Sequence, residues 1–327
     1  MKVAELGEIS LIKRIVSLLP EAGTRQDLLL GPGDDAAAWR SPYPITLATT
    51  DALIQGVHFL PSTTSWRDLG WKALAINLSD IAAMGGAPTY ALVSLDLPPD
   101  TEVEAVVDFY RGLLELAARF EVAIAGGNLT RADKVSIHIT LMGGLPSETM
   151  LRRSAGRPGD AIAVTGHLGA SAAGLRLTKA KKEGPAAEAL LQAHRRPWPR
   201  VEEGKTLLSL GIKAAMDISD GLLSDLGQMC LASKVTARIW ADRIPVHPNV
   251  REVFTRQALR LALAGGEDYE LLFAGPPGRV EQARKSSPVP ITVIGELEDG
   301  EAGRVVILDR WGQELPAMER GWDHFRR

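Results

Sequence analysis

The chemistry within reach of this chain is carried by acidic side chains in settings that an ordinary surface salt bridge does not explain. Asp80 lies in the string INLSDIAAM, and its helical neighbours three and four positions away are Asn77, Ile76, Ala83 and Met84. With no cation in local reach, a carboxylate there must neutralise, find a distant cation or bind a metal. Asp51 follows the hydroxyls of Thr49 and Thr50, and Asp217 sits in AAMDI, an apolar stretch where an unpaired charge is expensive. Asp34 and Asp35 occupy a Gly/Pro loop, GPGDDAA, in which aspartate is also a common turn residue. Ser219 and Asp220 precede a helix beginning near Gly221, so helix capping and ligand binding are both open to them. Almost no His or Cys accompanies these groups. Hard oxygen donors on Gly-rich turns favour Mg²⁺ over zinc or copper and suit a polyphosphate held through metal ions.

Three familiar phosphate-binding designs are absent. Gly204-Lys205-Thr206 resembles the tail of a P-loop, but the first glycine of that motif would fall on Pro199. Gly166, Gly169 and Gly174 lack the dinucleotide-binding spacing, and no protein-kinase signature set is present.

The elements that must position these acids follow from periodicity. Residues 9–19 place Ile9, Ile12, Val16 and Leu19 on one helical face. Residues 44–50 read as a strand ending directly on Asp51, and a long helix runs from Trp66 to Met84, stopped by Gly85-Gly86. A strand over 89–95, a helix over 102–120 and a short strand over 121–125 follow, the last closed by Gly126-Gly127-Asn128. Residues 135–141 alternate as a half-buried strand should.

Residues 146–158 are polar and turn-rich and make the best domain boundary. Beyond it, 161–166 reads as a strand leading through glycines into a helix, and 184–199 as surface helix and loop. Residues 214–226 read as strand, turn and helix, and a second strand-to-glycine junction is expected at Gly265-Gly266-Glu267-Asp268. Ser79-Asp80 precedes Ser219-Asp220 by 140 positions and Gly126-Gly127 precedes Gly265-Gly266 by 139, a faint hint of two domains built alike.

Bulk properties narrow the partners. The 327 residues suffice for two domains, and 45% hydrophobic with 24% charged residues is the balance of a folded globular chain. The net charge of -3 and the single brief basic tract, Lys179 to Lys182, argue against nucleic acid. Cys230 is the only cysteine, which excludes an intrachain disulfide and a multi-cysteine metal site. Lys13 and Arg14 interrupt the only apolar stretch before Pro20, so no signal peptide is expected, and no apolar run approaches a bilayer span. Cytoplasm is the expected compartment.

Taken in order, GPGDDAA, TTDALIQGVHF, NLSDIAAMGG, LRRSAGRPGD, DISDGLLSDL, GGEDYEL and the terminal GWDHF resemble the thiamine-monophosphate kinase family, from GEIS at 7–10 to Phe325. That resemblance implies an α/β (α+β) chain with the two-domain aminoimidazole ribonucleotide synthetase-like fold. It implies an N-terminal domain over 1–146, whose mixed sheet forms a homodimer interface, and a C-terminal α/β domain over 147–327. Selenophosphate synthetases and a hydrogenase maturation protein belong to the same superfamily, but their reactive N-terminal or C-terminal cysteine is missing here.

The resemblance assigns roles by motif. Asp35, Thr49, Thr50, Asp51, Asp80, Asn128, Asp217 and Asp220 would hold Mg²⁺; Tyr110, Gly127, Asn128, Arg153 and Ser219 would contact ATP. His58, Glu267 and Trp322 would contact thiamine monophosphate, and Asp34 and Asp268 are left without a role. On their own residues a buried neutral histidine, an ordinary turn acid and an exposed aromatic remain the alternatives for those three. The family carries Asp where this chain has Asn128, which predicts weaker occupancy of one Mg²⁺ site. The acceptor is a phosphate monoester with a second pKa of about 6, so no general base is required. Metal ions and Arg153 would offset the repulsion of two anions, and Trp322 would stack on the cationic rings. A sibling enzyme on the same fold and a catalytically silent ATP-binding protein are the rival readings.

Overall fold

The computed structural model describes residues 1–20, 25–180, 183–316 and 321. Contacts divide the chain into two compact units: Met1–Ile81 with Ala87–Glu148, and Ala82–Gly86 with Thr149–Arg327.

The first unit opens with two helices, α1 (Val3–Leu6) and α2 (Glu8–Val16), followed by a two-stranded ribbon of β1 (Leu28–Leu30) and β2 (Ala38–Trp39). Next come β3 (Ile45–Ile54), α3 (Trp66–Ala83), β4 (Ala87–Leu97), α4 (Val103–Arg119), β5 (Ala123–Arg131) and β6 (Ser136–Leu145). The last four strands form a sheet in the order β3-β6-β4-β5, antiparallel except for the β4–β5 pair. Alternation creates a covered and an open face. Ile137, Ile139 and Leu141 of β6 and Val93, Leu95 and Leu97 of β4 are buried, while His138, Thr140, Ser94 and Asp96 are only half-buried. Helix α4 supplies an apolar stripe that includes Val106, Phe109, Leu113 and Leu116, and α3 is buried almost all round from Trp71 to Ser79.

In the second unit the order is β7 (Ala161–Thr165), α5 (Ala170–Lys179), α6 (Pro185–Arg195), α7 (Val201–Ser209), β8 (Ala214–Asp217), α8 (Leu222–Ser233) and β9 (Thr236–Trp240). It continues with α9 (Pro248–Val253), α10 (Ala258–Ala264), β10 (Leu271–Gly275), α11 (Pro277–Ser286), β11 (Ile291–Glu298) and β12 (Val305–Leu308). The sheet order is β12-β9-β11-β7-β10-β8. Strands β7, β8 and β10 are buried at every position, which is why AIAVT, AAMD and LLFAG read as unbroken apolar runs rather than alternating ones. The short segment Ala82–Gly86 belongs here: Leu151 N–H donates to the Met84 carbonyl at 3.2 Å, and a Cβ on Gly204 would lie 2.1 Å from the Ala82 carbonyl oxygen.

Several elements differ from the sequence expectation. Strand β3 continues past Asp51 to Ile54, because its ladder to β6 runs unbroken to the Ile54–Ser136 pair. Strand β5 continues through Gly126-Gly127-Asn128 to Arg131, paired with β4 on both sides of a register shift at Ala125. Gly265-Gly266 follows α10, not a strand. The repeat spacing carries no structural equivalence: Ser79-Asp80 lies inside α3 and Ser219-Asp220 in a loop, Gly126-Gly127 in a strand and Gly265-Gly266 outside one. In α2 the core takes Leu11 and Ile15, whereas Ile9, Ile12 and Val16 are exposed. Among the described residues, no helix is long and apolar enough to cross a membrane.

Candidate active site

On the first unit, α2, the loop 31–37 and the β5 edge of the sheet enclose a cleft of about 800 Å³. Asp34, Asp35, Tyr110, Gly127 and Asn128 all line it, so residues far apart in sequence share one cavity. The apolar face of α2 finds its use here, since Ile12, Val16 and Leu19 form one wall. Asp34 Oδ1 accepts the N–H of the next residue, Asp35, at 2.9 Å. Tyr110 is 4% exposed, and burial pushes its phenol well above the ordinary value, so it offers a neutral ring edge. Gly127 is glycine for a steric reason: a Cβ there would lie 1.9 Å from the Val93 carbonyl oxygen of the paired strand. The exposed Asn128 donates from Nδ2 to Thr130 Oγ1 at 2.8 Å, which leaves Oδ1 as its acceptor for a ligand.

A second group forms at the opposite edge of the same sheet. The strand period puts Thr49 and Asp51 on the covered face, where Thr49 Oγ1 donates to Asp80 Oδ2 of α3. Thr50 falls on the other face, donating to the Ile139 carbonyl at 3.1 Å and accepting from Thr140 Oγ1 at 3.2 Å. Its side chain is therefore not part of the group formed by Thr49, Asp51 and Asp80. Just beyond β3, His58 Nδ1 accepts the Ile54 N–H at 3.0 Å. That bond assigns the proton of the neutral ring to Nε2, making it a donor. The β3 and β5 edges are separated by two strands, or about 14 Å at the usual strand spacing, and Asp51 and Asp80 do not line the cleft.

In the second unit two loops are knitted together. Strand β8 ends on Asp217, 3% exposed, and the chain turns through Ser219 and Asp220 into α8. Of the two roles the sequence left open to Ser219 and Asp220, capping does not fall to them at the N-cap position, which is Gly221. Asp225, in the first turn, reaches back instead, and its Oδ2 accepts the N–H groups of Ser219, Asp220 and Gly221 at 3.1 Å each. Burial, and after it the charges of Asp217 and Asp220, push the Asp225 carboxyl up to about 8, while the backbone donors pull the other way.

The GGEDYEL loop docks against this turn. Glu267 N–H donates to the Ser219 carbonyl at 2.7 Å and Tyr269 N–H to the Ile218 carbonyl at 2.9 Å. A Cβ on Gly266 would lie 2.5 Å from the Ser219 carbonyl oxygen. Glu267 and Tyr269 both adopt left-handed backbone, with φ of 64° and 51°. The three acids of the loop take three different partners. Asp268 accepts N–H bonds from Gly169 and Ser171 at 2.6 and 3.1 Å, and so caps α5. Burial first, with Glu270 and Glu267 adding repulsion, pushes its carboxyl up to about 7 against those donors. Glu270 takes Arg200 bidentately at 2.6 and 2.7 Å and the Thr165 hydroxyl at 2.6 Å. Glu267 keeps its side chain partly exposed, with Oε2 lying 3.3 Å from His194 Nδ1.

Arg153 lies in a 3₁₀ turn, Arg153–Ala155, with its side chain in solvent and its carbonyl held by the Ser233 hydroxyl at 2.7 Å. Trp322 lies outside the described residues, as do Lys181, Lys182 and the rest of GWDHF beyond Gly321. Gly321 itself abuts the turn after β8, where a Cβ would meet the Asp220 carbonyl oxygen at 2.2 Å. Sequence reading passed over Asp225, His194 and Glu270. An acid in the first helical turn was the visible signal for Asp225; the other two act through partners remote in sequence.

Oxygen donors make up the acidic set throughout. Among the described residues, no three His, Cys, Asp or Glu side chains converge on one metal position. Carboxylate and hydroxyl oxygens, such as the bonded pair Asp80 and Thr49, are the donor type that Mg²⁺ takes together with water and phosphate.

A sheet-based N-terminal unit with acids at both edges, followed by a second α/β unit that presents acidic loops, defines an AIR synthase related protein. The chain matches the family models described as "AIR synthase related protein, N-terminal domain" over residues 33–145 and "AIR synthase related protein, C-terminal domain" over 157–308. Within this family the chain belongs with the thiamine-monophosphate kinases. It is 39% identical to the thiamine-monophosphate kinase of Escherichia coli (strain K12), over 98% of both chains. The solved thiamine-monophosphate kinase from Stenotrophomonas maltophilia K279a superposes with a TM-score of 0.82 at 37% identity, over 91% of this chain and 95% of that one. A structure described as AaThiL complexed with AMPPCP and TMP gives 0.77 at 35% identity, over 99% of each.

Proposed function

We propose that this protein transfers the γ-phosphoryl group of ATP to thiamine monophosphate, yielding thiamine diphosphate, the last step of that cofactor's synthesis. The observation that carries this reading is the end-to-end match to a protein solved with AMPPCP and TMP. The cleft that gathers Asp34, Asp35, Tyr110, Gly127 and Asn128 supports it. The acceptor phosphate has a second pKa of about 6 and is largely a dianion at neutral pH. No side chain has to remove a proton from it.

Asp35, Thr49, Asp51, Asp80, Asn128, Asp217 and Asp220 are the residues we assign to holding Mg²⁺. The Thr50 hydroxyl, engaged with Thr140 and Ile139, is left out. Bound Mg²⁺ supplies charge neutralisation and alignment for in-line transfer. Tyr110, Gly127, Asn128 and Ser219 contact ATP, and the solvent-facing Arg153 approaches its phosphates. His58 offers its Nε2–H to the acceptor phosphate, Glu267 faces the cationic rings, and Trp322 stacks on them. Two copies pair through the N-terminal sheet, and the enzyme works in the cytoplasm.

A coupled ADP-release assay with ATP and Mg²⁺ tests the reaction. ADP release that requires thiamine monophosphate, with a thiamine diphosphate peak on chromatography, is expected; ATP binding without turnover would overturn it. Asn128→Asp should lower the Mg²⁺ concentration giving half-maximal rate, and an unchanged requirement would remove residue 128 from the metal set.

A further inference from the structure

Glu267 has a fixed backbone and a side chain that needs fixing separately. Its left-handed φ of 64° and its N–H bond to the Ser219 carbonyl at 2.7 Å locate the Cα. Three rotatable bonds still separate that Cα from the carboxylate, so backbone pinning alone leaves the charge free to wander. A buried imidazole meets it. His194, in the last turn of α6, is 5% exposed, and its Nδ1 lies 3.3 Å from Glu267 Oε2. The same nitrogen lies 3.0 Å from the hydroxyl of Ser171 on α5, a residue 1% exposed. A nitrogen facing both a carboxylate and a hydroxyl satisfies both by carrying the proton, with Glu267 and Ser171 Oγ as acceptors. The backbone of Ser171 is in turn held by Asp268, the residue after Glu267, so α5, α6 and the GGED loop close on one another.

We propose that His194, steadied by Ser171, is a positioning residue that aims the Glu267 carboxylate at the cationic rings of the acceptor. This rests on the reading of Glu267 as a contact to that substrate. Oε2 is held beside the buried imidazole while about a quarter of the Glu267 side chain, 26%, stays exposed. Holding the charge in its bound geometry before the substrate arrives raises affinity without touching the phosphoryl-transfer step.

Steady-state kinetics of the full-length protein test the proposal through four variants. His194→Leu should raise the KM for thiamine monophosphate about tenfold, the usual consequence of losing one hydrogen bond to a charged group, while kcat and the KM for ATP hold within about twofold. His194→Asn places an amide N–H near the position of Nδ1 and should recover most of that loss. His194→Gln extends its amide to the position of Nε2 and should not. In the double variant His194→Leu/Glu267→Gln, the KM should be no higher than in Glu267→Gln alone, because the two residues act as one unit.

A wild-type KM in His194→Leu beside a raised KM in Glu267→Gln overturns the positioning role and leaves the substrate contact standing. Equal KM values for His194→Asn and His194→Gln likewise overturn it, and that pair decides the matter even should His194→Leu not fold. An unchanged KM in Glu267→Gln removes Glu267 from the substrate site and this proposal with it.

Discussion

The acids of the two units are held in place by opposite means. In the first unit Asp51 sits inside β3 and Asp80 inside α3, so strand and helix periodicity aim them, and Thr49, two positions before Asp51 on the same face of β3, donates its hydroxyl to Asp80. In the second unit Ser219, Asp220 and Glu267 sit on loops that no periodicity constrains. There a second set of acids does the holding: Asp225 gathers three backbone N–H groups, Asp268 caps α5, and Glu270 binds Arg200 and Thr165. A ligand carried on a regular element needs no clamp, whereas one on a loop needs a clamp of its own. Chemistry and stability should therefore separate cleanly in the first unit and travel together in the second.

The largest effect is expected where they separate. Asp51→Ala or Asp80→Ala should lower kcat/KM by about a thousandfold or more while the thermal midpoint is preserved; retained turnover in both would dismantle the metal set. Asp225→Ala should lose activity and stability together, because three N–H groups in a part-buried turn lose their acceptor, at a cost on the order of 3 kcal/mol. Chemical denaturation reads it, and an unchanged midpoint would show that the turn holds itself. Within β3, Thr49→Val should reduce turnover about tenfold, as loss of one hydrogen bond to a charged group does, and Thr50→Val should leave it near wild type. Equal effects would mean that strand alternation does not sort these two hydroxyls.

The smallest expected effect is a slope. The Asp268 carboxyl is pushed from 3.8 up to about 7 on folding, so the folded chain binds its proton more tightly. Its contribution to stability is complete below the unfolded value and is lost as pH rises through the folded one. Thermal midpoints between about pH 4 and pH 7 should fall more steeply in the wild type than in Asp268→Asn. Parallel curves would remove the residue from that pH dependence.

Much of this arrangement was legible in the residues. The burial of Asp217 holds in three dimensions, and Asp80, half-buried in α3, takes the Thr49 hydroxyl from a strand remote in sequence. Boundaries around glycine were not legible. Gly126-Gly127 reads as a strand terminator, yet β5 continues through it, because the close approach of Val93 demands a residue with no side chain. Gly265-Gly266 reads as a strand exit, yet it leaves a helix. The apolar face of α2 was visible as a periodicity, but periodicity marks a greasy surface and not what covers it. Here part of it lines the cleft. The clamp acids escaped because an Asp that accepts backbone N–H groups looks, in sequence, like one that binds an ion.

The assignment of Ala82–Gly86 to the second unit bears on how such a chain can be recombined. The division is crossed three times, after Ile81, after Gly86 and after Glu148. A fragment ending at Glu148 would leave the Met84 carbonyl without Leu151 and the Ala82 backbone without Gly204. Chimeras between related chains should therefore tolerate an exchange of the C-terminal half only when 82–86 travels with it. The stretch 82–86 and the chain from Thr149 onward are thus inherited together, although 62 residues of the other unit separate them in sequence.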